Sequence, residues 1–332
     1  MNLIFPLMKS LFIKNLTGDL MGKEIESIFL VTKREVRKKR DGFPYLEILF
    51  SDVTGTIPGV LFDEYEKYES LLQVGKVVNV KGVIGTFNDE LRIKVTQVMD
   101  VITVDPKDFV PSTSKDVNIL MGELLKLVEQ VVDPYLKELL KRFFVEDKEF
   151  IERFKKAPAA KSYHHPYLGG LLEHTLGVTE LSLRVVKNYK EINEDLLLAG
   201  ALLHDIGKVD EYTTFPSIEM SDKGRLLGHV VIGYEMVSEK IKSMDDYLGG
   251  FPEDLALQLL HIILSHHGEL SWGSPVVPYT LEAQILHFVD NLNAKAWMFL
   301  EAREKRKEPD ARWSEYHRGL SRMVYLGEPE ED

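Results

Sequence analysis

The sequence predicts a small closed β-barrel followed by a bundle of helices. Two observations carry that expectation. Residues 22–104 contain five short runs that are β-branched or alternate in polarity, each bounded by turn signals. Beyond a polar stretch at 105–116 with two prolines, apolar residues recur every three or four positions, and no convincing strand is left.

The strand runs are 28–32, 45–51, 56–61, 76–83 and 91–101. Arg40-Asp41-Gly42, Asp52-Val53-Thr54-Gly55, Gly75 and Asn88-Asp89-Glu90 punctuate them. Between the third and fourth, residues 63–73 have helical character through Tyr65, Tyr68, Leu71 and Leu72. Five strands with a short helix after the third is the order of an OB-fold barrel, a fold that binds oligonucleotides on its face and first hairpin. Helices are expected at 118–132, 134–145, 148–156, 166–188, 194–206, 225–243, 253–266 and 279–304. The domain division expected is 1–108, with an N-terminal extension and linker, and 109–332.

A chain of 332 residues, 44% hydrophobic and 28% charged, has the composition of a globular protein with a sizeable core. No stretch is long and apolar enough to predict a membrane span. The apolar start, MNLIFPLMKSLFIKNL, lacks a basic leader and a small-residue cleavage site, so it is expected to be folded or partner-covered rather than a signal peptide. There is no cysteine, which excludes disulfides and thiolate metal sites and agrees with a cytoplasmic protein.

The net charge is −12. Residues 1–104 hold 14 Lys+Arg and 14 Asp+Glu, so the helical part carries the whole excess. Within the neutral part, six of the eight residues at 33–40 are basic. Arg37, Lys38, Lys39 and Arg40, with Phe43 and Tyr45 just after them, suit a single strand: cations for phosphates and rings for bases. A solvated hairpin is the competing reading.

The chemistry is expected in the second part. His174, His204-Asp205, His229, His266-His267 and Asp290 each lie in or at the end of a helix-periodic segment, on its apolar side. A His-Asp pair alone is weak evidence, but this one ends DLLLAGALLHDI, a segment apolar nearly all round and therefore expected to be buried. A buried carboxylate needs a cation, and buried imidazoles need partners. A hydrogen bond accounts for one such residue; convergence from five segments predicts divalent metal. A carboxylate, with two oxygens, is able to bridge two ions; a histidine is not. Imidazole with carboxylate and no thiolate suits Mn²⁺, Fe²⁺, Co²⁺, Ni²⁺ or Zn²⁺ better than Mg²⁺.

The order H…HD…H…HH…D resembles the HD-domain superfamily of metal-dependent phosphohydrolases, in its form with ligands for two metals. The words HHPYLGGLLEHTL, LLHDIGK, GHVVIGYE, LSHHGELSWGSPVVP and TLEAQILHFVDNLNAK are similar to those of the YhaM-type 3′→5′ exoribonucleases. That family joins an N-terminal OB-type domain to a C-terminal HD domain, so the resemblance covers nearly the whole chain. It implies a multidomain protein: an all-β OB-fold barrel followed by an all-α HD-domain bundle. Glu-Leu-Ser-Trp after His267-Gly268, where a Gly-Tyr-Pro element would mark a cyclic-dinucleotide phosphodiesterase, argues against that branch.

The resemblance further implies two divalent ions, Mn²⁺ or Co²⁺ as activator. His174, His204, Asp205 and Asp290 would hold one; Asp205 as bridge, His229 and His266, with His267 as a further candidate, would hold the other. The implied reaction removes nucleoside 5′-monophosphates from the 3′ end of single-stranded RNA, with single-stranded DNA as a further substrate. Asp205 and Lys208 are the expected catalytic residues. Lys208, expected one helical turn beyond His204, would contact the scissile phosphate; the alternative is a helix C-terminal charge favoured by the macrodipole. His164 and His165 are left out of the catalytic set, and a phosphate contact by Asn291 or Lys295 is a guess. The competing functions are a phosphohydrolase of small nucleotides, which gives the barrel no task, and a non-catalytic nucleic-acid-binding protein. The oligomeric state is not legible.

Overall fold

The structure is a computed structural model and describes residues 9–306, 308 and 310–328. The first eight residues of the apolar N-terminal run therefore lie outside the described residues. The chain divides into two compact units: one reaches to Pro111 and includes Phe215–Ser217, and the other holds the rest.

The first unit is a closed five-stranded barrel in the order β1-β2-β3-β5-β4. Its strands are β1 (Glu24–Lys38), β2 (Pro44–Asp52), β3 (Gly55–Leu61), β4 (Val77–Phe87) and β5 (Glu90–Asp100). β1 pairs antiparallel with both β2 and β4, and a short parallel pairing of β3 with β5 at Gly59↔Ile93 closes the ring. Closure removes the free edges that an open sheet would expose. Phe29, Leu46, Phe50, Val78, Val80 and Ile93 fill the interior. The N-terminal segment from Lys9 is folded onto this barrel. Lys9 Nζ lies 3.2 Å from Asp52 and 4.1 Å from the Phe29 ring centroid, and Leu16 joins the core.

Two sequence expectations change here. β1 runs far beyond 28–32, because its polar second half stays paired with β2 as far as Lys38↔Pro44 after a bulge between Val31 and Lys33. Polar residues on both faces past Val31 hide that strand from a periodicity reading. The helix expected at 63–73 shrinks to a single 3₁₀ turn, Tyr65–Tyr68, entered from Glu64 in the left-handed region.

In the second unit, α1 (Val117–Gln130), α2 (Pro134–Lys141) and α3 (Lys148–Phe154) each start at an aspartate. Asp116, Asp133 and Asp147 accept from first-turn N–H groups and satisfy donors the helix itself leaves open. Phe143–Phe150, Phe144–Phe150 and Phe144–Phe154 pack edge to face with centroids 5.2 to 5.8 Å apart, and Phe150 stacks on Phe154 at 5.6 Å.

α4 (Gly170–Val186) and α5 (Glu194–Leu203) follow, then α6 (Lys208–Glu211), a two-residue hairpin of β6 (Tyr212–Thr213) and β7 (Glu219–Met220), α7 (Asp222–Lys242), α8 (Glu253–Ser265) and α9 (Leu281–Glu304). Residues 196–203 of α5 are all buried, as an element apolar all round must be. α4, α8 and α9 pack around it. The hairpin corrects the expectation of no strand here; two residues per strand are too few to show a period. α5 stops at Leu203 instead of 206, so Lys208 opens α6 rather than extending α5.

Candidate metal centre

Five predicted ligands reach one locus from element ends or breaks, and the other two, His174 and Asp290, come from within α4 and α9. His204 caps the C-terminus of α5, and Asp205 follows in the turn to α6. His266 caps α8. His267 and Gly268 follow, and Gly268 turns the chain at φ +78°, where the His287 ring occupies the space a Cβ would need. His229 comes directly after a break in α7 at Gly228. Asp290 projects from α9.

Two ligand groups result, His174–His204–Asp290 and His229–His266–His267. Asp205 stands between them. Its Oδ2 lies 3.3 Å from His174 Nε2 and 3.4 Å from His204 Nε2, while its Oδ1 lies 3.4 Å from His229 Nε2 and 3.6 Å from His266 Nε2. Asp290 Oδ1 is 3.1 Å from His174 Nε2. One carboxylate thus offers one oxygen to each group.

The tautomers follow from the outer hydrogen bonds. His174 Nδ1 donates to Asn293 Oδ1 at 3.0 Å, and His204 Nδ1 to the Ala201 carbonyl at 2.8 Å. His229 Nδ1 donates to Glu211 at 2.9 Å, His266 Nδ1 to the Ile263 carbonyl at 2.7 Å and His267 Nδ1 to the Trp272 carbonyl at 3.0 Å. With each Nδ1 proton so used, every Nε2 presents a lone pair inward. His229 and His267 then aim lone pairs at each other across 3.2 Å, and His174 and His204 across 3.3 Å. Such pairs repel unless a cation lies between them. Asp205 Oδ1 and His266 Nε2 are also buried without a hydrogen-bond partner. The donor set fits divalent ions.

The electrostatics agree. Burial alone would raise the Asp205 carboxyl, but Lys208, His204 and His174 hold it well below the usual carboxylate range. Asp290 is held down in the same way, against its own burial, by His174 and His204. Burial lowers the His174 imidazole, yet Asp205 and Asp290 outweigh it and raise it to about 9. At His267 burial wins and, with His266 and His229 as neighbours, brings the ring to about 3. In the absence of metal the two ionised carboxylates favour positive charge, which His174 takes up as a proton; a divalent ion would replace that proton and free its Nε2 lone pair.

Lys208 is buried, and its Nζ lies 2.6 Å from Asp205 Oδ2. It lines a cavity of about 200 Å³ together with His164, His267, Trp272, Asp290 and Asn291. His165 points elsewhere, bonding Tyr167 and packing on Trp297 at 5.1 Å. Lys295 Nζ stands 5.7 Å from the Trp272 ring, outside the lining of that cavity. Glu211, Asn293 and Trp272 were not among the residues picked from the sequence. None of the three carried a signal in the sequence: Glu211 sits among the polar residues Lys208, Asp210 and Tyr212 that follow His204-Asp205.

On the barrel, the six predicted nucleic-acid residues surround the β1–β2 hairpin. Arg37 is paired with Glu35 and, at 2.7 Å, with Glu47, and Lys39 with Asp63 at 3.4 Å. Lys38, Arg40 and Phe43 are exposed, and Tyr45 packs on Phe62 at 5.5 Å.

Comparison with known proteins follows the same division. Residues 171–295 match the HD domain family, and residues 31–101 match an OB-fold nucleic acid binding domain family. A 3′-5′ exoribonuclease YhaM from Geobacillus sp. (strain WCH70) is 32% identical over 292 residues, covering 86% of this chain and 87% of the relative. The chain belongs to the YhaM family. The Bacillus subtilis (strain 168) and Oceanobacillus iheyensis members are each 31% identical over 290 residues, covering 86% of this chain and 90% and 88% of theirs. No described helix is long and apolar enough to cross a membrane.

Proposed function

We propose that this chain is a metal-dependent 3′→5′ exoribonuclease acting on single-stranded RNA, and on single-stranded DNA as a secondary substrate. The observation that carries the reading is the division of ligands over the two oxygens of Asp205, three on each side. His174, His204 and Asp290 would hold one divalent ion and His229, His266 and His267 the other, with Asp205 between them. Manganese suits this donor set, with Co²⁺, Fe²⁺, Ni²⁺ and Zn²⁺ as alternatives. Bound there, the ions supply Lewis acidity toward phosphoryl oxygens and toward an attacking water.

The chain's own groups supply the rest. Asp205 stays ionised and ties the two halves of the site together. The outer partners Glu211, Asn293 and three backbone carbonyls fix the ring orientations. Lys208, the cation facing the cavity, neutralises charge on the scissile phosphate. Water adds to phosphorus, the bond to the preceding 3′ oxygen breaks, and that oxygen takes up a proton, releasing a nucleoside 5′-monophosphate. Residues 109–332 perform hydrolysis, and residues 1–108 hold the strand through Lys38, Arg40 and Phe43, with Arg37, Lys39 and Tyr45 bracing them. A cytoplasmic setting accords with the absence of cysteine.

The test is product analysis with Mn²⁺ on 5′-labelled and 3′-labelled RNA, beside a nucleotide panel. The 5′-labelled strand should shorten one nucleotide at a time, and Asp205→Asn should lose at least about a thousandfold in rate while remaining folded. Parental activity in that variant, or hydrolysis of nucleotides but not RNA, would refute the reading.

A further inference from the structure

We propose that a second cavity of the helical unit is a stacking subsite for unpaired bases of the RNA, a few nucleotides upstream of the bond being cut. The inference rests on the exoribonuclease reading and adds where the strand lies. The cavity has a volume of about 610 Å³, three times that at the metal centre and in the range of ligand sites. Tyr163, Trp313, Tyr316 and His317 contribute rings to its wall.

Three of these rings are braced by a neighbouring ring, and Tyr163, Trp313 and Tyr316 are open to solvent. Trp313 packs at 5.1 Å on Tyr325 and is still 54% exposed; Tyr316 is 62% exposed. Tyr163 and His317 lie 5.9 Å apart. Aromatic faces fixed by their neighbours but not covered by them are what base stacking needs. The surrounding charge also fits. Residues 303–322 hold seven Lys/Arg against four Asp/Glu, in a chain whose net charge is −12. Lys305, Arg306 and Arg318 line the cavity beside Glu301, Glu308 and Glu315, so its wall is neutral where the helical part as a whole is strongly acidic, and Lys305 Nζ sits 2.5 Å from the Glu301 carboxylate.

Two elements connect this cavity to the metal centre. Tyr163 lines one and its neighbour His164 the other. On α9, Asp290, Asn291 and Ala294 face the metal cavity, and Glu301, Ala302 and Lys305 the second. From Ala294 to Glu301 is about 10 Å along a helix rising about 1.5 Å per residue. That spans roughly three nucleotides at about 3.4 Å each, and fewer if the strand is extended.

The experiment measures KM and kcat on 5′-labelled oligouridylates of increasing length with Mn²⁺. It uses the parent, Trp313→Ala/Tyr316→Ala and Tyr316→Ala alone, the last removing only an exposed ring. Bis(p-nitrophenyl) phosphate, small enough to need the metal centre alone, is measured beside them. KM in the parent should fall as the strand becomes long enough to reach the rings. The double variant should lose that gain, at least about fivefold, with kcat and diester hydrolysis retained; Tyr316→Ala should lose part of it. An identical length dependence in all three proteins overturns the subsite alone. A parent that hydrolyses the diester but no oligonucleotide overturns the exoribonuclease reading and the subsite with it.

Discussion

At the scale of single residues, each of the five candidate imidazole ligands has its Nδ1 committed outward. Glu211 is the clearest case: it accepts both the backbone N–H and the Nδ1–H of His229, and its other oxygen is buried without a hydrogen-bond partner. Burial would raise that carboxyl, but the bonds from His229 keep it below its usual value, so it is an anion that makes His229 a better ligand. Glu211→Gln should weaken manganese binding about 10- to 100-fold, read by calorimetric titration, with the helical circular dichroism retained. Unchanged affinity would deny Glu211 that role. The seven candidate ligands could be picked from the sequence because a charge inside an apolar helix demands an explanation. Glu211 and Asn293 could not, since their task is defined only by contact with rings 18 and 119 residues away along the chain.

At the scale of elements, the centre depends on where helices stop. α5 ends one residue before His204, α8 ends one residue before His266, and α7 breaks just before His229. Periodicity predicted the helices and their inward faces, but it ran α5 on to 206 and gave no sign of α6 as a separate turn. Propensity does not mark such ends when tertiary packing sets them. The close approach of that turn to α7 is visible at Gly207, where a Cβ would collide with the His229 carbonyl oxygen and the Gly233 nitrogen. Gly207→Ala should therefore cost about 1–3 kcal/mol of stability in denaturant unfolding, with loss of activity as His229 shifts. A variant as stable and active as the parent would show that the two elements can separate freely. The barrel repeats the lesson, since the arm of β1 beyond Val31 was hidden by its polarity while its hydrophobic half was plain.

At the scale of the whole molecule, charge separates the two tasks. The barrel part is neutral overall with a basic hairpin, and the helical part carries the negative excess. Because Arg37 and Lys39 are already paired with carboxylates, Lys38 and Arg40 should dominate phosphate binding. Removing both should weaken RNA affinity uniformly across sequences and flatten the salt dependence by about 0.7 in log–log slope for each phosphate no longer neutralised. An unchanged slope would move the binding face away from this hairpin.

The most direct test is anomalous diffraction from crystals grown with manganese. Two peaks should appear, one beside Asp205 Oδ2 with His174, His204 and Asp290, the other beside Asp205 Oδ1 with His229, His266 and His267. A lone peak, or manganese bound away from Asp205, would contradict a two-ion centre bridged by that carboxylate.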